Sequence, residues 1–291
     1  MSKLKDKLSS REFVVTGEIG PPKGVDISGC LHDAEQLRDY VTAINVTDLQ
    51  SAVFRIGSLA VSCKLVERRL EPIYQLTCRD RNRLALQSDL LSAWALGIEN
   101  VLCLTGDHPA MGDHTEAKPV YDLDSVQLIK AASTLNQGQD MSGHELDSKP
   151  SFFLGGVVTP GADPVEPQVI KMKKKIEAGA VFFQTQAVYE PDKLEDFMNR
   201  VQGFNVPVIA GIVILKGAAM AKFMNQNVAG ITVPDSIIEE MSDTPKEDRK
   251  KQAVEITARI IRQVKPLCQG VHIMPLGWDE LVPQVIKEAE L

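Results

Sequence analysis

The chain has 291 residues, 44% hydrophobic and 24% charged, a soluble composition with enough apolar material for one large core or two smaller domains. No apolar run approaches the ~18 residues of a membrane span, and the opening MSKLKDK has no apolar stretch of a signal peptide. The net charge of −7 argues against nucleic acid as the main partner, and five cysteines with no C-x-x-C pair argue against a disulfide scaffold or a metal cluster and for reduced thiols in cytoplasm.

Short β-rich runs alternate with amphipathic helical runs. The first strand is expected at 13–19 (FVVTGEI), then a weakly helical stretch at 28–40 and a second strand at 43–48 (AINVTD). A weak helical pattern at 56–69 precedes the third strand, 72–78 (PIYQLTC). In 81–96, Leu86, Leu90, Ala93 and Trp94 share one face between Asp80 and Gly97, and a strand follows at 101–105 (VLCLT). In 124–136, Leu128, Ala131, Ala132 and Leu135 align, before the strand at 152–158 (FFLGGVV). In 164–178, Val169, Met172 and Ile176 form a stripe, with Asp163 as expected N-cap and Gly179 beyond the end. After the strand at 181–186 (VFFQTQ), 191–202 has Pro191 in its first turn and Gly203 as expected C-cap. The strand at 206–213, a stripe of Ala253, Ile256, Ile260 and Val264, and a last strand at 271–276 complete the series.

Eight strand–helix units in a chain this long fit a single (β/α)8 TIM barrel over residues 1–291, with no linker dividing it. Near-continuous apolar strands suit parallel strands buried on both faces. A doubly wound open sheet is the rival, but it predicts a G-x-G-x-x-G turn after the first strand. The segment there, GEIGPPKG, lacks that spacing, and its two prolines cannot open the helix. The longest loop after a strand, 106–123, belongs to the active face. The polar stretch 137–150 belongs to the opposite face, and is expected to be mobile and without catalytic role.

In a barrel, polar residues at strand C-terminal ends converge on the mouth. Here these are Glu18, Asp48, Thr77, Cys78, Asp107, Thr159 and Gln186. Glu18 sits within an apolar strand, where partial desolvation suits a proton-donating acid. A neighbouring lysine satisfying it is the competing reading. Asp107, in a strand-Gly-Asp turn, either reaches back over the barrel or caps its turn. Gln186 suits hydrogen bonding to a heterocycle, with Gln184 one layer deeper on the same face. The run Lys171-Met-Lys-Lys-Lys175 reads as a solvated helix face, and none of the five histidines has metal-site spacing.

Four motifs lie in order on the expected strands: Glu18–Pro22 (EIGPP), Gln75–Cys78 (QLTC), Leu104–Asp107 (LTGD) and Glu177–Gln186 (EAGAVFFQTQ). With His272–Asp279 (HIMPLGWD) and Val206–Ile212 (VPVIAGI), the chain resembles the short microbial members of the methylenetetrahydrofolate reductase family across nearly its whole length. The resemblance implies a flavin-containing (β/α)8 barrel, with FAD or FMN, that reduces 5,10-methylenetetrahydrofolate to 5-methyltetrahydrofolate. It implies Glu18 as general acid, Asp107 at the pterin and near the flavin, and Gln186 on the folate. It places cofactor contacts at Thr47, Gln75, Thr105, Asp107, Val157 and Lys175, the last to flavin phosphate. Three of these positions depart from well-studied members. Gln75 replaces a histidine, Thr105 replaces an arginine, and Val157-Val-Thr-Pro-Gly-Ala-Asp163 replaces Y-P-x-x-H-P. The implied electron donor is NAD(P)H or an electron-donating partner protein, and homo- or hetero-oligomers are compatible. Two alternatives stay open: a flavin-free pterin-binding methyltransferase barrel, and a barrel subunit that docks a redox partner.

Overall fold

The structure, a computed structural model, describes residues 2–291. Eight parallel strands close into a barrel in chain order, β8 returning to pair with β1. They are β1 (Val14–Ile19), β2 (Ala43–Val46), β3 (Pro72–Thr77), β4 (Asn100–Leu104), β5 (Phe153–Val158), β6 (Phe182–Ala187), β7 (Val208–Val213) and β8 (Gly270–Met274). The helices are α1 (Lys3–Ser9), α2 (Ser28–Gln36), α3 (Ser58–Glu67), α4 (Arg83–Ala95), α5 (Ser125–Gln137), α6 (Glu166–Ala178), α7 (Pro191–Val201), α8 (Ala218–Asn227), α9 (Asp235–Asp243), α10 (Arg249–Val264) and α11 (Val282–Glu288). The expected (β/α)8 TIM barrel is therefore the fold, and each expected strand is present within two residues of its ends. Among the described residues no helix is long and apolar enough to cross a membrane, and all five cysteines are free.

The barrel interior changes character along its axis, because side chains two apart on a strand share a face. At the N-terminal end, Val14, Ala43, Ile73, Leu102, Phe153, Phe182 and Ile209 form an apolar floor, plugged by Leu4 and Leu8 of α1. Two residues further along the same strands come buried polar groups: Thr16, Asn45, Gln75, Gln184 and His272. Glu18 and Thr77 stand two residues beyond those on β1 and β3. The stripes of the surrounding helices cover the outer strand faces, completing burial on both sides.

The floor is tightly filled. Phe153 and Phe182 stack with centroids 4.9 Å apart, and a Cβ added at Gly155 would stand 2.3 Å from the Phe182 ring. The stacked ring has little room to retreat, so Gly155→Ala is expected to destabilise the protein by about 1–3 kcal/mol through overpacking. Denaturant unfolding checks this, and an unchanged midpoint would show that the ring can move aside.

Helix ends depart from expectation where a better partner exists. Asp163 does not cap α6. Val165 holds the N-cap position without a side-chain bond, and Pro167 lies in the first turn. Beside α4 the capping oxygen comes from Asn82, accepting from the Ala85 amide at 3.0 Å, while Asp80 pairs with Arg79. Gly203 does not terminate α7. The helix runs into a 3-10 turn over Gln202–Phe204, and Asn205 takes the left-handed conformation. Four helices were not expected: α1, α8, α9 and α11. The stretch 137–150 is hydrogen-bonded rather than loose. Asp140 accepts from the Ser142 and His144 amides, and Met141 N donates to Gln87 of α4 at 2.8 Å.

Candidate active site

A cavity of about 440 Å3 opens at the C-terminal mouth of the barrel. Glu18, Gln75, Thr105, Asp107, Val157, Lys175 and Gln186 all line it, from five different strands and their following segments. Thr47 does not. It is 1% exposed, and its hydroxyl is buried with no hydrogen-bond partner. Cys78 also turns away, into the layer between barrel and helices, where burial pushes its thiol up to about 12.

Glu18 is 6% exposed, and among the described residues no lysine pairs with it. Its Oε2 lies 3.4 Å from His272 Nε2, and its Oε1 lies 3.5 Å from the Gln50 amide nitrogen. His272 Nδ1 contacts Thr16 Oγ1 at 3.0 Å. Gln184 donates to the same hydroxyl at 3.5 Å and exchanges two bonds with Asn45, at 2.7 and 3.1 Å. A continuous polar ladder thus crosses the barrel from β2 through β6 and β1 to β8, ending on the acid. Such a ladder fixes side-chain orientation where no water competes. Gln184 lies one layer below the mouth, as its spacing predicts. His272 belongs to the site although no metal-ligand spacing surrounds it in the sequence. The alternation in Val271-His272-Ile273, apolar on either side of one polar residue, turns its ring to the barrel interior.

The loop after β2 holds Gln50 over Glu18. Leu49, Ser51 and Ala52 all have positive φ, at 48°, 56° and 57°, a costly conformation for residues with side chains. Arg79 donates to the Leu49 carbonyl and to the Asp107 carbonyl, tying the loops after β2 and β4 to β3. Gly112 packs so closely on Ala52 that an added Cβ would fall 1.8 Å from its carbonyl oxygen. Asp113 completes the clasp. It accepts from Lys23, from the Phe54 amide and from His114, and these partners hold its carboxyl well below the usual range.

Asp48 does not face this chemistry as a free carboxylate. It is 2% exposed and accepts from the Thr77 amide, the Thr77 hydroxyl and Arg81, fastening β2 to β3. Asp107 does project into the mouth. Gly106, at φ 90°, permits its turn, since a Cβ there would come within 3.1 Å of Thr77 and Arg79. Gln186 lies within an irregularity in the β6–β7 register between Gln184 and Ala187. Bulges of this kind re-aim side chains beside active sites. Its side-chain oxygen accepts from the adjacent Ala187 amide at 3.2 Å.

Lys175 departs from the solvated lysines beside it. It is 6% exposed and donates to the Val157 carbonyl at 2.6 Å, and among the described residues no carboxylate pairs with it. Burial, then the charge of Lys171, lowers it to about 8. Gln168, Lys171 and Thr159 line the same side of the cavity. A buried cation with only a carbonyl partner, among further donors, suits an anionic group such as a phosphate.

Fold and site together define a barrel whose mouth combines a buried acid, an exposed carboxylate, a strand-end amide and an uncompensated cation. A sequence model of the family described as methylenetetrahydrofolate reductase matches residues 3–290. The chain belongs to the methylenetetrahydrofolate reductase family. It is 24% identical to methylenetetrahydrofolate reductase 2 of Schizosaccharomyces pombe, over 99% of this chain and 47% of the relative. It is 26% identical to the 5,10-methylenetetrahydrofolate reductase of Salmonella typhimurium, over 66% of this chain and 61% of that one. The chain spans between a third and a half of the first eukaryotic relatives it matches. Among solved structures, an uncharacterized protein from Clostridium thermocellum described as binding two copies of 5-methyl-5,6,7,8-tetrahydrofolic acid shares the fold. Its TM-score is 0.67 at 17% identity, over 99% of this chain and 98% of that one.

Proposed function

We propose that the chain reduces 5,10-methylenetetrahydrofolate to 5-methyltetrahydrofolate using a bound flavin, FAD or FMN. The observation that carries the proposal is the convergence of Glu18, Asp107 and Gln186 on one cavity, in a member of this family. Glu18 donates a proton to N10 of the substrate, opening the imidazolidine ring to a 5-iminium cation. The Asp107 carboxylate favours that cation electrostatically. Gln186 offers both a donor and an acceptor to the pterin. His272 and Gln50 hold the two oxygens of Glu18, so its carboxyl plane is set before substrate arrives. Lys175 would hold the phosphate of a flavin, whose chemistry would be supply of the hydride that completes the methyl group. Gln75, Thr105 and Val157 line the same cavity and would flank a bound flavin. The five free cysteines leave electron supply to NAD(P)H or to a partner protein.

An anaerobic screen tests this reading. The pure chain, with and without each flavin, is offered NADH, NADPH and an artificial donor, and 5-methyltetrahydrofolate is measured. Flavin-dependent product formation is the expected result. A protein that stays colourless with both flavins would favour the flavin-free methyltransferase. A coloured protein that forms no product with any donor would favour a docking subunit.

A further inference from the structure

Beneath Glu18 the polar layer of the barrel forms a chain with a direction. Asn45, Gln184, Thr16 and His272 are each 3% exposed or less, and the apolar floor around Phe153 and Phe182 closes the barrel below them. Their hydrogens are therefore directed at one another. Asn45 Nδ2 donates to Gln184 Oε1 at 2.7 Å, and Gln184 Nε2 returns a bond to Asn45 Oδ1 at 3.1 Å. The second hydrogen of Gln184 Nε2 is directed to Thr16 Oγ1 at 3.5 Å. Thr16 is an acceptor on that side, so its own hydrogen remains for His272 Nδ1 at 3.0 Å. A neutral imidazole that accepts at one nitrogen carries its hydrogen on the other. The network thus assigns the hydrogen of His272 to Nε2, which faces Glu18 Oε2 at 3.4 Å.

That assignment makes the two oxygens of the acid unequal. Oε2 faces an N–H, which repels a second hydrogen there. A proton carried by Glu18 therefore sits on Oε1, the oxygen beside Gln50, and Gln50 lines the mouth cavity. When the proton leaves, negative charge develops on a carboxylate that is 6% exposed. The contact at Oε2 then becomes a charge-assisted bond, stronger than the neutral one before transfer. A donor fixed in advance, whose bond strengthens only as charge develops, favours the transfer over the resting acid.

We propose that His272 is a positioning residue for the reaction: held as its Nε2–H tautomer by Thr16, Gln184 and Asn45, it confines the proton of Glu18 to Oε1 and steadies the carboxylate left behind. The proposal rests on the acid role given to Glu18 above. In the step itself the O–H bond at Oε1 breaks and an N–H bond forms at N10 of the substrate, while His272 keeps its own proton throughout.

Nitrogen-15 NMR of histidine-labelled, flavin-loaded protein tests the tautomer, the His272 signal being the one lost in His272→Gln. Hydrogen on Nε2 alone is expected; hydrogen on Nδ1, alone or together with Nε2, overturns the proposal. Stopped-flow measurement of the folate half-reaction tests the role. His272→Leu removes the donor and is expected to slow that half-reaction about 10- to 100-fold, the worth of a bond to a charged group. His272→Gln keeps an N–H within reach of Oε2 but cannot titrate, and is expected to stay within about threefold of the unmodified rate, the neutral amide being the weaker donor. A His272→Gln protein as slow as His272→Leu makes the histidine a proton carrier and overturns the proposal. In a Glu18→Gln background His272→Leu should cost nothing more, because His272 acts only through the acid; a further tenfold loss there overturns it as well. A Glu18→Gln protein that keeps its folate half-reaction defeats the acid reading itself. A slow Glu18→Gln protein beside an unimpaired His272→Leu defeats the proposal alone.

Discussion

Glu18→Gln is expected to lower folate reduction by a factor of about 10²–10⁴, the range for loss of a positioned general acid. The change is isosteric. It leaves the 3.4 Å approach of His272 and the 3.5 Å approach of Gln50 in place, so the pocket keeps its shape and only the transferable proton is lost. Glu18 is not among the cofactor positions, so reduction of the bound flavin by its donor should stay near the unmodified rate. Stopped-flow measurement of the two half-reactions separates these effects. A variant that retains a tenth or more of its folate half-reaction would remove Glu18 from the acid role. Equal loss in both half-reactions would point to a damaged pocket instead.

Lys175→Met should weaken flavin binding by about 10- to 100-fold, the worth of one charge-assisted bond, and yet make the flavin-free protein more stable at neutral pH. Unfolded, the ammonium titrates near its ordinary 10.5; folded, burial and then Lys171 bring it to about 8. Between these values the unfolded chain binds more protons, so stability rises with pH across that window. Below about 8 the cost is present in full, of order 3 kcal/mol. Methionine removes it while keeping a stem that packs where Lys175 Cδ now lies, 3.1 Å from a Cβ position on Gly156. Flavin affinity of the unmodified protein should fall as pH rises above about 8, because the neutral amine no longer attracts phosphate. In the variant that dependence should vanish. Thermal melts of the flavin-free proteins and flavin titrations across pH test both halves. A destabilised variant with unchanged flavin affinity would make Lys175 a structural residue.

Much of the site was legible because a barrel converts position along a strand into position in space. A polar residue that ends an apolar strand in phase with its inward-facing side chains faces the mouth, whichever strand carries it, while Cys78, one residue out of phase, turns away. Glu18, Asp107 and Gln186 could therefore be selected without knowing their neighbours, and all three line the cavity. Local pattern misled where one residue type serves two ends. Asp48 met the same criterion as Glu18, yet Arg81 and Thr77 take up its oxygens. Lys175 looked like its neighbours in the lysine run until the resemblance singled it out, since helix periodicity does not say how deep a side chain goes.

The sequence by itself determined the eight-strand order and the ends at which chemistry collects, because strand burial and side-chain alternation are properties of a few adjacent residues. Only the tertiary structure decided which groups touch. His272 reaches Glu18 across 254 residues of chain, and Gln184 meets Asn45 across 139. Thr47 lies outside the cavity that its neighbours line, and Lys216 and Lys250 gather over the Trp278 ring from separate segments. Each of these depends on barrel closure and on how loops lean over the mouth. Those are sums of many weak contacts that no single stretch of sequence contains.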